Sequence, residues 1–311
     1  MWLPGFRQFS RSRDHYLIFP LMKLSLLVPL LCVLLPASSA TAPAANLLST
    51  VNSTLHLAYS AFCPQEDLKT WSCIWCQPDT TPAVELVQYL SNDKFGTQGY
   101  VGIDETSKRI IVAFRGSYNI PNDIEDALFF LSPFDKEPTV KVEHGFQVAY
   151  NSVREDMLAG VKSAREACPD CSITFTGHSL GAAMSTLAAA EVAASVTAST
   201  TLTTELFTFG CPRVGDSAFV NWSHELITST TRVARERDIV PHIPPSIHEG
   251  PAFLTGYTHP PREIWNRHQE KAEWLVECDP VNGEDPACSN SQVNYSPAEH
   301  TEYLGFHGGY C

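Results

Sequence analysis

The fold is decided by residues 172–196, which read SITFTGHSLGAAMSTLAAAEVAASV. Ser172–Thr176 is rich in β-branched and aromatic residues, which is typical of a short buried strand. Leu180–Val196 is rich in alanine, which favours a helix whose small side chains allow close packing. The pentad Gly177–Gly181 lies where the strand meets the helix. This succession of strand, tight turn and helix predicts an α/β fold.

The flanking sequence agrees with this class. Further strand-like runs are Gly99–Ile103, Ile110–Phe114, Leu206–Phe209 and Thr231–Ala234. Apolar residues recur every three or four positions and predict a single helix over His144–Ala167. Strands that alternate with helices predict one α/β domain, with a central, mainly parallel sheet flanked by helices.

The composition limits the classes of binding partner and the cellular compartment that can be expected for the chain. The chain has 311 residues, 44% of them hydrophobic, with 21 Lys+Arg against 34 Asp+Glu and a formal charge of −13. Without a basic surplus to neutralise phosphates, no nucleic-acid partner is expected. The ten cysteines indicate either an oxidising compartment or a metal site.

A secretory leader is predicted to start at Met22. A basic residue, the apolar run Leu24–Leu35 and small residues up to Ala42 follow one another, as in a signal peptide. The run is too short to cross a bilayer core of ~30 Å, so no transmembrane anchor is expected. We expect cleavage after Ala42, or alternatively after Ala40, and an extracellular domain over residues 43–311. Residues 1–21 are either a long n-region or a wrongly assigned upstream start.

The pentad Gly177–Gly181 fits the pattern Gly-x-Ser-x-Gly of a nucleophile elbow. Its tight turn needs close approach of the backbone, so both glycines must lack side chains. Ser179 Oγ is then lifted into the crevice at the carboxyl end of the strand. The N-terminus of the next helix points N–H groups at the same place. Ser179 is therefore the predicted nucleophile.

A serine nucleophile needs a histidine base and a carboxylate that orients it. In this fold type the chain order is Ser, acid, His. Asp238 is the preferred acid because it follows the strand-like run Thr231–Ala234. Asp279 and Asp285 lie in a polar loop, and Asp216 is placed to cap a helix. Four or five histidines remain open as the base on chain order alone, among the candidates His224, His242, His248, His259, His268, His300 and His307.

Several separate motifs resemble those of the fungal class 3 lipases, which are secreted α/β-hydrolases that cleave triacylglycerols. These motifs are Trp71–Cys76, Ile111–Ser117, Gly177–Gly181, Pro212–Asp216, Glu236–Pro245, Gly256–His259 and His300–Tyr303. The resemblance implies Ser179 as nucleophile, Asp238 as acid and His300 as base. Structural roles are expected for His178 and His259.

The resemblance also implies an oxyanion hole formed by Ser117 and the N–H group of Leu180. The implied mechanism passes through an acyl-enzyme and requires neither a metal nor an organic cofactor. Its substrate is an ester, and a monomer is expected.

In this family the segment that follows the oxyanion serine is a lid. Here Ile120, Ile124 and Leu128 recur every four residues, which predicts an amphipathic lid helix able to open onto a lipid surface. Many family lipases carry a tryptophan where Asp123 stands, and Leu131–Asp135 is closer to the related feruloyl esterases.

The favoured function is therefore a triacylglycerol lipase at a lipid–water interface. The alternative is a feruloyl-type or general carboxylic-ester esterase. A non-catalytic lipid-binding protein is a remote third interpretation, because all three triad positions hold competent residues.

The family pattern implies the disulfides Cys63–Cys311, Cys73–Cys76 and Cys278–Cys288. Cys168 and Cys171 lie outside that pattern and are expected to form a fourth, local disulfide, which leaves Cys211 as a free buried thiol. Sequons predict N-glycosylation at Asn52, Asn221 and Asn294.

Overall fold

The computed structural model describes residues 45–77, 79–118, 129–195, 202–246, 256–267 and 274–311. Their strands are β1 (Glu85–Asn92), β2 (Thr97–Asp104), β3 (Arg109–Phe114), β4 (Leu131–Phe134), β5 (Glu137–Glu143), β6 (Ser172–His178), β7 (Thr204–Phe209), β8 (Gly215–Asp216), β9 (Ser229–Arg235), β10 (Tyr257–Thr258), β11 (Glu263–Asn266), β12 (Leu275–Glu277), β13 (Glu302–Tyr303) and β14 (Phe306–His307). The helices are α1 (Ala45–Ser60), α2 (Gln65–Lys69), α3 (His144–Asn151), α4 (Arg154–Ala167), α5 (Leu180–Ser195) and α6 (Ser217–Leu226). Short 3-10 turns occupy Val240–His242, Ser289–Ser291 and Pro297–Thr301.

An eight-stranded sheet forms the centre, in the order β1-β2-β3-β6-β7-β9-β11-β12. The five strands from β3 to β11 run parallel to one another. The strands at both edges pair antiparallel. The mainly parallel α/β sheet is thus confirmed. The carboxyl ends of its parallel strands meet at one edge, where ligand sites of such sheets lie.

Successive side chains of β3 point to opposite faces of the sheet and contribute to a hydrophobic core on each face. Val112 and Phe114 pack into a cluster that includes residues of α4 and α5. Ile111 and Ala113 pack into a second cluster that contains much of α1. A strand buried on both faces reads as a continuous apolar run, which is why Ile110–Phe114 is recognisable in the sequence.

The prediction of one helix over His144–Ala167 is wrong in one respect, because the structure breaks it into α3 and α4. The Asn92 side chain donates to the Ser152 carbonyl at 3.0 Å, and Ser152 Oγ lies 2.7 Å from Thr97 Oγ1. That carbonyl is therefore occupied by a side chain from β1 instead of by the next helical N–H. Val153 then adopts φ −128° and ψ 4°, which is outside the helical region.

Four disulfides join Cys63 to Cys311, Cys73 to Cys76, Cys168 to Cys171 and Cys278 to Cys288. These are the expected pairs, and Cys211 is a free, buried thiol. All the described residues belong to one compact unit. In the described ranges no helix is both long and apolar enough to cross a membrane. The predicted lid residues Ile120, Ile124 and Leu128 lie outside the described residues, as do residues 1–42.

Candidate active site

Ser179 occupies the turn between β6 and α5 with a positive φ of 59°. A non-glycine residue in this region is strained, and such strain is concentrated at functional sites. The turn is tight enough to exclude side chains at both flanks. A Cβ atom on Gly177 would lie 2.4 Å from the backbone of Gly181, and one on Gly181 would lie 2.0 Å from the Phe114 carbonyl oxygen. The elbow geometry expected from the pentad is therefore present.

Asp238 and His300 form a buried pair, and neither side chain has any exposed surface. Asp238 lies just past the end of β9, and His300 lies in the turn Pro297–Thr301. Nδ1–H of His300 donates to Asp238 Oδ2 at 2.8 Å. The Tyr303 hydroxyl donates to the same oxygen, and the N–H of Val240 donates to Oδ1 at 2.8 Å. These three donors hold the carboxylate in one orientation.

The charge of Asp238 is stabilised by these contacts. Burial raises the pKa of the carboxyl, but His300, the Tyr303 hydroxyl and the Val240 N–H outweigh burial and bring the pKa below its ordinary value. Burial and the Asp238 charge raise the pKa of Tyr303 far above the ordinary tyrosine value. Tyr303 is therefore a neutral hydroxyl that donates to a carboxylate.

His178 supports the His300 ring. The two rings are stacked with centroids 4.4 Å apart, and Nε2 of His178 donates to the His300 carbonyl at 2.9 Å. Burial, followed by the neighbouring His300, lowers the pKa of His178 to about 3. His178 therefore stays neutral, in agreement with the structural role expected for it.

The backbone at the end of β7 contacts both Ser179 and His300. The N–H of Ser179 donates to the Phe209 carbonyl at 3.0 Å. A Cβ atom on the next residue, Gly210, would lie 2.7 Å from Cε1 of His300. Nε2 of His300 is buried and has no hydrogen-bond partner among the described residues. Nε2 is thus the ring nitrogen that Asp238 does not engage.

The two expected oxyanion donors, Ser117 and Leu180, follow β3 and Ser179 respectively. Leu180 is the first residue of α5. Ser117 is half-buried and follows β3, one residue after Gly116, at which a Cβ atom would lie 3.1 Å from Ser179 Cβ. The turn after β3 therefore passes directly beside the nucleophile.

The other acid and base candidates lie elsewhere. Asp216 caps α6 through the N–H of Phe219 at 2.8 Å, and Asp279 and Asp285 accept hydrogen bonds within their own loop. His259 Nε2 lies 2.7 Å from the Pro241 carbonyl oxygen, and His242 stacks on Tyr295. His224 and His307 are exposed, while His248 and His268 lie outside the described residues.

The remaining predicted positions fall on the surface or in structural clusters. Asn221 and Asn294 are exposed, whereas Asn52 is half-buried within α1. Potential metal ligands converge at two places in the described ranges, and both groups contain disulfide cysteines. A disulfide sulfur is not the thiolate that binds metals, so neither group supports a metal site.

Two residues of the site were not singled out from the sequence. Tyr303 stands in a motif that carried the family resemblance, so its position was signalled without its role. Gly210 had no local signal, because the need for glycine arises only when the His300 ring packs against β7.

Known proteins with similar sequences are lipases. The family model "Lipase (class 3)" matches residues 111–248. A lipase of Rhizomucor miehei is 32% identical over 243 residues, which are 78% of this chain and 64% of that protein. The secreted mono- and diacylglycerol lipase 1 of Fusarium solani is 32% identical over 197 residues, which are 62% of this chain and 56% of that protein. The chain thus spans less than two thirds of either relative's length.

The fold is also similar to that of solved lipase structures. The crystal structure of a lipase from Rhizopus microsporus var. chinensis superposes with a TM-score of 0.77 at 30% sequence identity, covering 88% of this chain and 92% of that one. The family-model match runs from β3 past β9 and includes Ser179 and Asp238, and the structural match covers 88% of this chain. The chain therefore belongs to the class 3 lipase family.

Proposed function

We propose that the chain is a serine ester hydrolase that acts on acylglycerols. The observation that carries the proposal is the buried Asp238–His300 pair beside the strained Ser179. A carboxylate that holds one imidazole nitrogen leaves the other free as a base, and a serine on a tight turn is the nucleophile that such a base activates.

In the proposed reaction, Ser179 Oγ attacks the ester carbonyl while His300 Nε2 takes its proton. Asp238 holds the imidazole in the required tautomer and stabilises the imidazolium that forms. The N–H groups of Ser117 and Leu180 donate to the developing oxyanion. His300 then returns the proton to the leaving alcohol, and water hydrolyses the acyl-enzyme by the same route.

An acylglycerol substrate at a lipid–water interface is supported by the relatives, which are named as lipases, one of them a mono- and diacylglycerol lipase. An extracellular location is supported by the four disulfides, which persist in oxidising compartments. The apolar run Leu24–Leu35 adds the pattern of a signal peptide.

The nucleophile is tested by hydrolysis of p-nitrophenyl butyrate. Ser179→Ala should lower kcat by about 10⁴-fold or more. The matched control is Ser195→Ala at the far end of α5, where the hydroxyl donates to the Val192 carbonyl; its rate should equal that of wild type. Equal rates for wild type and Ser179→Ala would refute the assignment.

The substrate class is tested on tributyrin emulsions and on methyl ferulate. A lipase should turn over tributyrin, with a rate that rises when the ester exceeds its solubility. Turnover of methyl ferulate without tributyrin would replace the proposal by a feruloyl-type esterase. Binding of lipid without hydrolysis of any ester would favour a non-catalytic protein.

A further inference from the structure

Arg235 is a buried cation next to the candidate site. It is the last residue of β9, and its side chain is 3% exposed. Burying a guanidinium is costly unless its hydrogen bonds and its charge are matched. Its partners therefore indicate why the position is occupied by arginine.

The partners of Arg235 flank the proposed base. Nη1 donates to the Glu299 carbonyl oxygen at 2.9 Å and lies 3.1 Å from the Glu299 carboxylate. Nη2 lies 3.7 Å from the carboxylate of Glu302. The Glu299 carbonyl belongs to the peptide bond that joins Glu299 to His300. The guanidinium therefore fixes the backbone on the N-terminal side of the proposed base. His178 fixes the backbone on the C-terminal side of His300 through its hydrogen bond to the His300 carbonyl.

The backbone of Arg235 reaches the proposed acid. Its carbonyl oxygen accepts the N–H of Asp238 at 2.8 Å. The same residue is thus bonded to Asp238 through its main chain and to the His300 segment through its side chain. Asp238 and His300 are separated by 62 positions in the sequence, so Arg235 joins two segments that are distant along the chain.

We propose that Arg235 is a positioning residue that sets the Asp238–His300 geometry and balances the acidic groups around the base. The inference rests on the proposed function, since it assigns Arg235 a part in the same reaction.

The charges that face His300 come from several elements. Asp238 Oδ2 accepts a hydrogen bond from Nδ1 of His300, and the Tyr303 hydroxyl donates to the same oxygen. The neutral His178, at the end of β6, stacks on the His300 ring. Tyr59 of α1 packs edge-on against His178. Glu299 and Glu302 flank His300 in the chain, and both are paired with Arg235, which also lies 3.8 Å from the Glu236 carboxylate. Glu299 pairs with Arg237 as well, and Glu302 pairs with His307. Without Arg235 these two carboxylates would favour the protonated imidazole.

The test is the pH dependence of kcat/KM on p-nitrophenyl butyrate. Arg235→Met should lower kcat/KM about tenfold or more, since small displacements of a catalytic group are costly. It should also move the acid limb, which follows protonation of the base, upward by about 0.5–1 pH unit. Arg235→Lys keeps the charge but not the fork of donors, so it should keep the acid limb in place while kcat falls.

The matched control is Arg237→Met. Arg237 also pairs with Glu299, at 3.3 Å, but its side chain is 46% exposed. Exposed pairs contribute little, so kcat/KM should stay within about twofold of wild type. An equal effect of the two Met variants would overturn the inference, because the loss would then reflect positive charge in general.

A merely structural role is separated by titrating active sites with a phosphonate ester. If the folded fraction of Arg235→Met shows wild-type kcat and an unmoved acid limb, the inference is wrong. If Arg235→Met does not fold, Arg235→Lys decides, and an unchanged kcat in that variant overturns the inference.

A readout without turnover separates this inference from the proposed function. The titration of the His300 imidazole can be followed by NMR and assigned with His300→Gln. It should shift upward in Arg235→Met, and an unshifted titration refutes the positioning role, whether or not the chain hydrolyses esters.

Discussion

Gly210 lies where the nucleophile and the base approach each other. Its φ is +55°, and a Cβ atom added there would lie 2.7 Å from His300 Cε1, so both the backbone and the neighbouring ring favour glycine. Backbone strain at a positive φ lowers stability wherever it occurs, whereas the contact with His300 would disturb the proposed base.

Gly210→Ala should therefore lower kcat/KM by about 10- to 100-fold, since it displaces His300 from Asp238 and Ser179. Ester hydrolysis normalised to folded protein measures the effect. Gly96→Ala is the matched control, because Gly96 has a φ of +61° with nothing within 4 Å of a Cβ. If both variants lose activity equally, strain and not contact is responsible.

The buried Arg213 side chain joins three of the connecting loops through an ion pair and hydrogen bonds. Arg213, in the turn after β7, donates to both carboxylate oxygens of Glu284 at 2.8 and 2.9 Å. It also donates to the carbonyls of His242 and Pro244 at 2.7 and 2.9 Å. The loop closed by Cys278–Cys288 is thereby fastened to the loop that follows Asp238.

Glu284→Gln should destabilise the fold at neutral pH by about 2–3 kcal/mol, since it removes the carboxylate charge that accepts two hydrogen bonds from the buried Arg213. Contacts with Arg213, His259 and Asn290 outweigh burial and lower the pKa of Glu284. Because the pKa of Glu284 in the folded state lies below its ordinary value of about 4.3, the ionised carboxylate stabilises the fold when the pH is above about 4.3. This stabilisation is lost as the pH falls toward the pKa of the folded state. The denaturation midpoints of variant and wild type should therefore converge below about pH 4.

The control is Glu66→Gln, which removes the partner of an exposed surface pair with Lys69. Its midpoint should match that of wild type at both neutral and acidic pH, because exposed pairs contribute little. A Glu284→Gln deficit that does not shrink between neutral pH and about pH 3 would contradict the electrostatic explanation.

At the scale of the whole molecule, one disulfide links two segments that are far apart in the sequence. Cys63 follows α1 and is joined to Cys311, 248 positions away. Trp75 Nε1 donates to the Tyr310 carbonyl at 2.9 Å beside this link. The segment so fastened is the one that carries β13, β14 and Tyr303 after His300.

Replacing Cys63 and Cys311 by alanine should lower the free energy of unfolding by up to about 4–5 kcal/mol, because a long loop gains the most entropy when it is opened. Replacing Cys73 and Cys76, which are 3 positions apart, is the matched control and should cost about 1–2 kcal/mol. Urea denaturation of both variants measures the difference. A larger loss for the short loop would contradict the loop-entropy explanation.

The elements around the nucleophile could be predicted because their signals are local. The apolar run in β3 and the Gly-x-Ser-x-Gly turn each specify backbone conformation within a few residues. The single helix over His144–Ala167 was wrongly predicted for the opposite reason. Its break depends on Asn92, a residue of β1 that reaches the Ser152 carbonyl only after the sheet has formed.

Local pattern thus determined the α/β class, the turn that carries Ser179 and the order of the candidate triad, since each depends on neighbours in the chain. The residues alone left four or five histidines open as the base, and only the family resemblance singled out His300. The tertiary structure alone brought Nδ1 of His300 to Asp238 and packed its ring against Gly210 and His178. It also placed Arg235 between the two segments. Such contacts join residues dozens of positions apart, and they exist only once burial of the two cores has brought the loops together.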